Sequence, residues 1–290
     1  MIAPDVPALT RLVERLDLET LGDDHFRGLL GAGRGRVFGG MVAAQALVAA
    51  GRTVEDGFAH SVHVHFLRPG RHRLPIDWLV TRLRDGRALA LRQVVGKQQN
   101  EIVATMTVSF ATSQDGLAHQ DPMPVVPPPE GLPDSDDLKA TIFGRVATSE
   151  VAGPLELREC DPPTALPAVG TPARRALWIR PRGKLPDDPL LHTAVLLFAS
   201  DRALLSTAGR PHGLVWTPLV GASLDHTVWL HGPVRVDGWL LVANESPVAA
   251  GGRALILGAI YTPDGTRIAS VAQEGIIRDL SARKALAAQR

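Results

Sequence analysis

At 290 residues and 45% hydrophobic content, the chain is long enough for one large domain or two ordinary ones around a sizeable core. Lys+Arg at 31 against Asp+Glu at 30 leave a formal charge of +1, which excludes the basic footprint of a nucleic-acid binder. The single cysteine, Cys160, excludes an intrachain disulfide framework and a cysteine-rich zinc site, and it fits a reducing compartment.

From Met1 to Glu19 acidic residues and prolines stand where a secretory signal has positive charge and an apolar run, so a cytoplasmic location is expected. The best apolar run, Met41 to Ala50, is well short of the ~20 residues a membrane span needs, and it contains Gln45. The final Ala-Ala-Gln-Arg matches no retrieval or peroxisomal signal.

In chain order, the first feature is Gly31-Ala-Gly-Arg-Gly-Arg-Val-Phe-Gly-Gly40. It follows no apolar strand and matches neither G-x-G-x-x-G nor G-x-x-x-x-G-K-[ST], so a nucleotide-phosphate loop is not expected. Gly39 and Gly40 open a helix, where free backbone N–H groups either bind an acyl carbonyl or simply turn the chain. That helix, Phe38 through Ala50, is apolar on every side, which belongs to a buried position, and its alanines let neighbouring backbone approach closely. Segments rich in Val, Leu, Thr and aromatic residues follow, broken by turn dipeptides such as Asp85-Gly86, and read as antiparallel hairpins. His63 and His65 share one strand face, but no third ligand accompanies them, so no metal site is expected.

Asp115 to Arg175 holds 11 of the 23 prolines and reads as a connection containing a short helix. It divides the chain into an N-terminal unit, residues 1–114, and a C-terminal unit, residues 176–290. The second unit repeats the order of the first. Asp187-Asp188-Pro189 supplies an N-cap with proline at the first turn, and Leu190 to Phe198 is again a nearly all-apolar helix. Leu190, Ala194, Leu197 and Asp201 lie on one helical face, so a carboxylate ends an otherwise apolar stripe. Asp201 is either an active-site group at the end of a buried helix or a surface carboxylate beside Arg202.

Ser223, Asp225 and His226 lie together, yet in an extended strand Ser223 and His226 point to opposite faces, and G-x-S-x-G is absent. A nucleophilic triad is therefore not expected, and His226 reads as structural, like its counterpart His60 at the start of the equivalent strand. Along Ile268 to Gly275 the alternation puts Gln273 on the inward face with Ala269 and Val271, where its amide needs partners.

A shift of 166 residues places His60 to His65 on His226 to His231 and Arg87 to Leu91 on Arg253 to Leu257, and the same shift carries Ile102 onto Ile268. An internal duplication is the expected cause. The fold class is then α+β, a tandem (double) hotdog: two buried central helices, each wrapped by a curved antiparallel sheet, with the sheets joined edge to edge. Exposed sheet edges lead us to expect a homo-oligomer.

Several ordered segments carry a closer resemblance. They are Phe26-Arg27-Gly28, Arg36-Val-Phe-Gly-Gly40 with Gln45-Ala-Leu47, His65-Phe-Leu-Arg-Pro-Gly70, Leu83-Arg-Asp-Gly86 and Trp178-Ile-Arg180. Ala199-Ser-Asp201, Pro211-His-Gly213, Leu224-Asp-His226 with Trp229 and His231, and Gln273-Glu-Gly275 continue the series. Across nearly the whole chain the sequence resembles the type II acyl-CoA thioesterases, the TesB-like family. The resemblance implies hydrolysis of fatty acyl-CoA to free acid and CoA, with no cofactor and no metal. It further implies that the family's water-activating Asp, Ser or Thr, and Gln fall on Asp201, Ser223 and Gln273. The proline-rich connection aligns poorly, which leaves the substrate range open. Arg68, Arg84 and Arg180 are the cations in matching motifs that either contact CoA or are solvated. Two other readings stand beside this one: a hotdog enoyl-CoA hydratase using Asp225 and His226, and a non-catalytic acyl-thioester binding protein.

Overall fold

The computed structural model describes residues 7–33, 35–138, 153–161, 169–214 and 220–278. Of the short helix expected in the connection, residues 135–138 are helical, and residues 139–152 lie outside the described residues. In the first half a short helix, α1 (Ala8–Leu16), precedes β1 (Glu19–Gly22) and β2 (His25–Gly28). The central helix α2 (Gly39–Gly51) and then β3 (Phe58–Phe66), β4 (Ile76–Asp85), β5 (Leu89–Gln98) and β6 (Glu101–Ala111) follow. The second half contains β7 (Leu155–Glu159), β8 (Arg174–Pro181), the central helix α3 (Pro189–Ser200) and a short helix α4 (Leu204–Gly209). It ends with β9 (Val220–Ser223), β10 (Asp225–Leu230), β11 (Leu240–Ala250), β12 (Arg253–Tyr261) and β13 (Arg267–Arg278).

All the strands form one antiparallel sheet in the order β1-β2-β4-β5-β6-β3-β10-β13-β12-β11-β8-β7, with β9 paired to the end of β13. The halves join where β3 pairs with β10, Val62 opposite Val228 and His63 opposite Thr227. Edge-to-edge joining is thus as the pattern led us to expect.

The central helices owe their place to composition. Every residue of α2 from Gly40 to Ala50 is buried, and so is every residue of α3 from Leu191 to Ser200. A nearly all-apolar surface of this kind has to be covered on all sides. Asp188 caps α3 by accepting from Leu190 N–H (2.9 Å) and Leu191 N–H (3.2 Å), with Pro189 in the first turn. The two helices lie antiparallel in contact. A Cβ on Gly51 would meet Leu190 at the start of α3, and a Cβ on Gly40 would stand 2.6 Å from the Phe198 carbonyl near its end. Glycine at position 40 is therefore a packing requirement.

The proline-rich connection covers the outer face of the second half. Met123, Val126 and Leu132 pack on Trp178, Leu241 and Tyr261, while Trp178 Nε1–H donates to the Pro127 carbonyl (2.8 Å) and Arg158 to that of Pro129 (2.7 Å). This cover explains why β11 begins with three consecutive buried residues, Leu240, Leu241 and Val242. The segment also supplies β7, which extends the sheet beyond β8.

One expectation is corrected. A constant shift of 166 cannot hold through the last hairpin, because Met106, Val108 and Phe110 face inward on β6 whereas Ala269, Val271 and Gln273 do so on β13. Even-numbered residues match odd-numbered ones, so the shift there must be odd. Val62 pairs with Val108 and Val228 with Val271, so where β3 moves onto β10 by 166, β6 moves onto β13 by 163. Ile102 is not the counterpart of Ile268, and the structural partner of Gln273 is Phe110. No helix among the described residues is long and apolar enough to cross a membrane.

Candidate active site

Asp201 is the C-cap of α3, in αR conformation, and only 8% exposed. Because α2 runs antiparallel to α3, the first turn of α2 from the other half lies against it. Gly40 N–H donates to Asp201 Oδ2 at 2.7 Å, and a Cβ on Gly39 would come within 2.9 Å of the same oxygen. The positive end of the α2 dipole and the carboxylate thus face each other. The free N–H groups at the start of α2, expected either to bind a carbonyl or to turn the chain, here include one that holds a carboxylate.

Ser223 ends β9 and Gln273 lies on the inner face of β13. The Ser223 hydroxyl donates to Asp201 Oδ1 at 3.3 Å, and Gln273 Nε2–H donates to Ser223 Oγ at 2.7 Å. Gln273 Oε1 lies 2.8 Å from His226 Nδ1, and His226 Nε2 lies 2.8 Å from Ser200 Oγ. Asp201, Ser223 and Gln273 are therefore brought together in one hydrogen-bonded group, with Gln273 and His226 fully buried behind it.

Here a second expectation fails. Ser223 and His226 do not address opposite sides: both reach Gln273. The alternation argument assumes one uninterrupted strand, but the register against β13 slips by one residue around Leu224, from Ser223 opposite Gly275 to Thr227 opposite Ala272, while the Leu224 carbonyl accepts from Phe66 at the end of β3. The strand break between β9 and β10 resets the facing. The rejection of a Ser223–His226 pair stands on other grounds, since the amide of Gln273 lies between them. Asp225 does point away, accepting from the Glu274 backbone N–H (2.8 Å). His226, expected to be structural, contacts Gln273, which the repeat position it shares with His60 does not signal. His60 bonds instead to Ser109 (2.8 Å).

Burial pushes the Asp201 carboxyl up to about 6, against the lowering effects of Gly40 N–H, Ser223, Gln273 and the nearby Arg202 cation. Arg202 itself lies over the Phe38 ring, 5.3 Å from its centroid. The His226 imidazole is driven down to about 4 by burial and is neutral near pH 7. Cys160 is half buried and its thiol is pushed up to about 12, so it is unreactive at neutral pH.

The first half lacks this group of side chains. The C-cap of α2 is Arg52, paired with Asp17 (2.6 Å), where α3 has Asp201. Gly57, at φ +102°, stands where Ser223 does, and Phe110 where Gln273 does. The two halves share the frame, and among the described residues one constellation of this kind occupies it.

The other candidates lie elsewhere. His63 is exposed, bonded to Ser61 (2.9 Å) and packed edge-on to Trp229. Arg68 donates to the Ile102 carbonyl (2.9 Å) and pairs with Glu101 (3.5 Å). Arg180, two residues from Trp178, is tied to Glu156 (2.7 Å) and stacked on Trp239 (4.2 Å), on the sheet face opposite the helices. Arg84 is exposed on β4.

Comparison with known proteins adds a separate line. Residues 30–111 match the acyl-CoA thioesterase N-terminal domain family, and residues 124–277 the acyl-CoA thioesterase C-terminal domain family. The chain is 37% identical over 281 residues to acyl-coenzyme A thioesterase 8 of Mus musculus, spanning 91% of this chain and 87% of that protein. It is 35% identical over 279 residues to acyl-CoA thioesterase 2 of Haemophilus influenzae, covering 93% and 98%. The crystal structure of the acyl-CoA thioesterase II TesB2 from Mycobacterium marinum superposes with a TM-score of 0.76 at 38% identity, covering 92% of this chain and 97% of that one. Both halves match in order and over most of their length, and the chain belongs to the type II acyl-CoA thioesterase family.

Proposed function

We propose that this chain hydrolyses fatty acyl-CoA to free fatty acid and CoA, using a water molecule activated by Asp201 and held by Ser223 and Gln273. The observation that carries the reading is a nearly buried carboxylate at the junction of the two halves, joined to a hydroxyl and an amide from strands far from it in the sequence. Asp201 takes a proton from water as its oxygen attacks the thioester carbonyl carbon, and the C–S bond then breaks. The proton passes on to the departing thiolate, so atoms and charge balance without an acyl-enzyme. The start of α2 directs its dipole at the same spot, which suits an oxyanion forming beside Asp201. The unpaired outer edge of the described sheet at β1 favours a homo-oligomer, and we read the chain as a cytoplasmic protein.

Incubation of the purified protein with acyl-CoAs of graded chain length tests the reading. Release of free thiol is expected; loss of enoyl absorbance without thiol would instead mark a hydratase, and binding with neither a non-catalytic protein.

The base must be ionised to act, so kcat/KM should decline on the acid side of about pH 6. Ser223→Ala removes one of the donors that lower the Asp201 value, with Arg202 the charged neighbour left in place. The acid limb should then move to higher pH, and kcat should drop about 10-fold, the equivalent of one hydrogen bond of roughly 1.4 kcal/mol. An unmoved limb in a pH series of initial rates would count against Ser223 as a partner of the carboxylate.

A further inference from the structure

The hydrogen-bond roles around the carboxylate follow from one another. An ionised Asp201 only accepts, so Ser223 gives its single proton there, and the Ser223 oxygen is left to accept from Gln273 Nε2–H. Gln273 Oε1 then faces His226 Nδ1 at 2.8 Å, and an amide oxygen only accepts, so His226 carries its proton on Nδ1. Its Nε2 is then a lone pair that accepts the Ser200 proton at 2.8 Å in place of the Leu197 carbonyl, which lies 2.9 Å from the same hydroxyl. Were the Gln273 amide turned over, its oxygen would face Ser223 and draw the hydroxyl proton away from Asp201. Asp201 resists that turn, because the Gln273 amide is among the donors that lower its value, but Ser223 does not, because the hydroxyl both donates and accepts. At the far end of the amide, the group that distinguishes the two orientations is the imidazole behind it.

We propose that His226, held by Ser200, is a positioning residue for hydrolysis: its Nδ1–H pins the Gln273 amide in the orientation that leaves the Ser223 proton on Asp201. The inference rests on the hydrolytic reading given above.

Ser200 makes a clean test available. Its hydroxyl also lies 2.9 Å from the Leu197 carbonyl, so removal of the imidazole leaves Ser200 with an acceptor and confines the change to Gln273. His226→Leu keeps the bulk and supplies no donor. His226→Asn puts an amide Nδ2–H where Nδ1–H stood. With H226L, kcat should fall about 10-fold or more while KM stays within about threefold, and H226N should recover kcat to within about threefold of the wild type. A merely structural role moves both variants alike, so equal losses in the two, or full activity in H226L, overturn the proposal. Should neither variant fold, nitrogen NMR of the wild-type protein labelled at histidine decides: a buried ring protonated on Nδ1 and bare on Nε2 is expected, and the opposite tautomer overturns it. Thiol release by the wild type is measured first. Its absence removes the hydrolase reading and this role together, whereas wild-type release with a fully active H226L removes only the role of His226.

Discussion

Asp201→Asn should lower kcat by about 10³-fold and at the same time make the protein more stable at pH 8. Asparagine keeps the shape of the side chain and an oxygen for Gly40 N–H, but it cannot take a proton from water. The gain in stability follows from the raised carboxyl value, about 6 in the folded chain against an ordinary 3.8. Below pH 4 both states are protonated and the group contributes nothing. As pH rises from 4 to 6 the unfolded chain releases its proton first, so the folded state loses ground, and above pH 6 the cost is complete. Two pH units correspond to about 3 kcal/mol in this nearly buried position. His226 works in the opposite sense. Its value is held at about 4, below the ordinary 6.5, so the unfolded chain takes up a proton first as pH falls from 6.5 to 4 and stability drops. The two effects offset each other between pH 4 and 6 in the wild type. With Asp201→Asn only the histidine remains, and stability should climb with pH across that window. Calorimetric melting from pH 4 to 8 together with thiol-release rates checks both halves. An active variant, or one that melts below the wild type at pH 8, would rule out Asp201 as a buried base.

The two central helices could be read because their signal is local: an apolar run with no polar face, and for α3 an Asp-Pro start that the structure shows capping the first turn. The hairpins were legible for the same reason. Register was not, since the two final hairpins close differently. β5 turns into β6 directly between Gln98 and Glu101, whereas Tyr261 pairs with Arg267 across a longer loop. No uniform shift spans both, and composition does not record which strand carries the bulge. Ser223 was out of reach for a different reason. Its facing depends on the one-residue slip of register against β13 around Leu224, a property of the strand pairing. The inward positions of Asp201 and Gln273 were visible as polar residues on apolar faces, yet nothing local says that they meet. The link from Gly40 to Asp201 spans 161 positions and both repeats.

That link yields the second large effect, expected of Gly40→Ala. A Cβ at this position would stand 2.5 Å from the Phe38 ring and 2.6 Å from the Phe198 carbonyl. The ring can turn aside, but a backbone carbonyl inside α3 cannot, so α2 has to move away from α3 by several tenths of an ångström. Overpacking of this kind costs about 1–3 kcal/mol. The same movement lengthens the bond from Gly40 N–H to Asp201, a bond that lowers the carboxyl value, so the acid limb of kcat/KM should shift upward. Misplacement of the base should lower kcat by about 10²-fold. Gly131→Ala serves as the control, since a Cβ there meets nothing within 4 Å. If the two alanine variants melt and turn over alike, the start of α2 is not part of the site, and the second half works without the first. If Gly40→Ala alone is impaired in both respects, the site belongs to both halves, and the first repeat, though it has Arg52, Gly57 and Phe110 in place of Asp201, Ser223 and Gln273, supplies the helix end that holds the carboxylate.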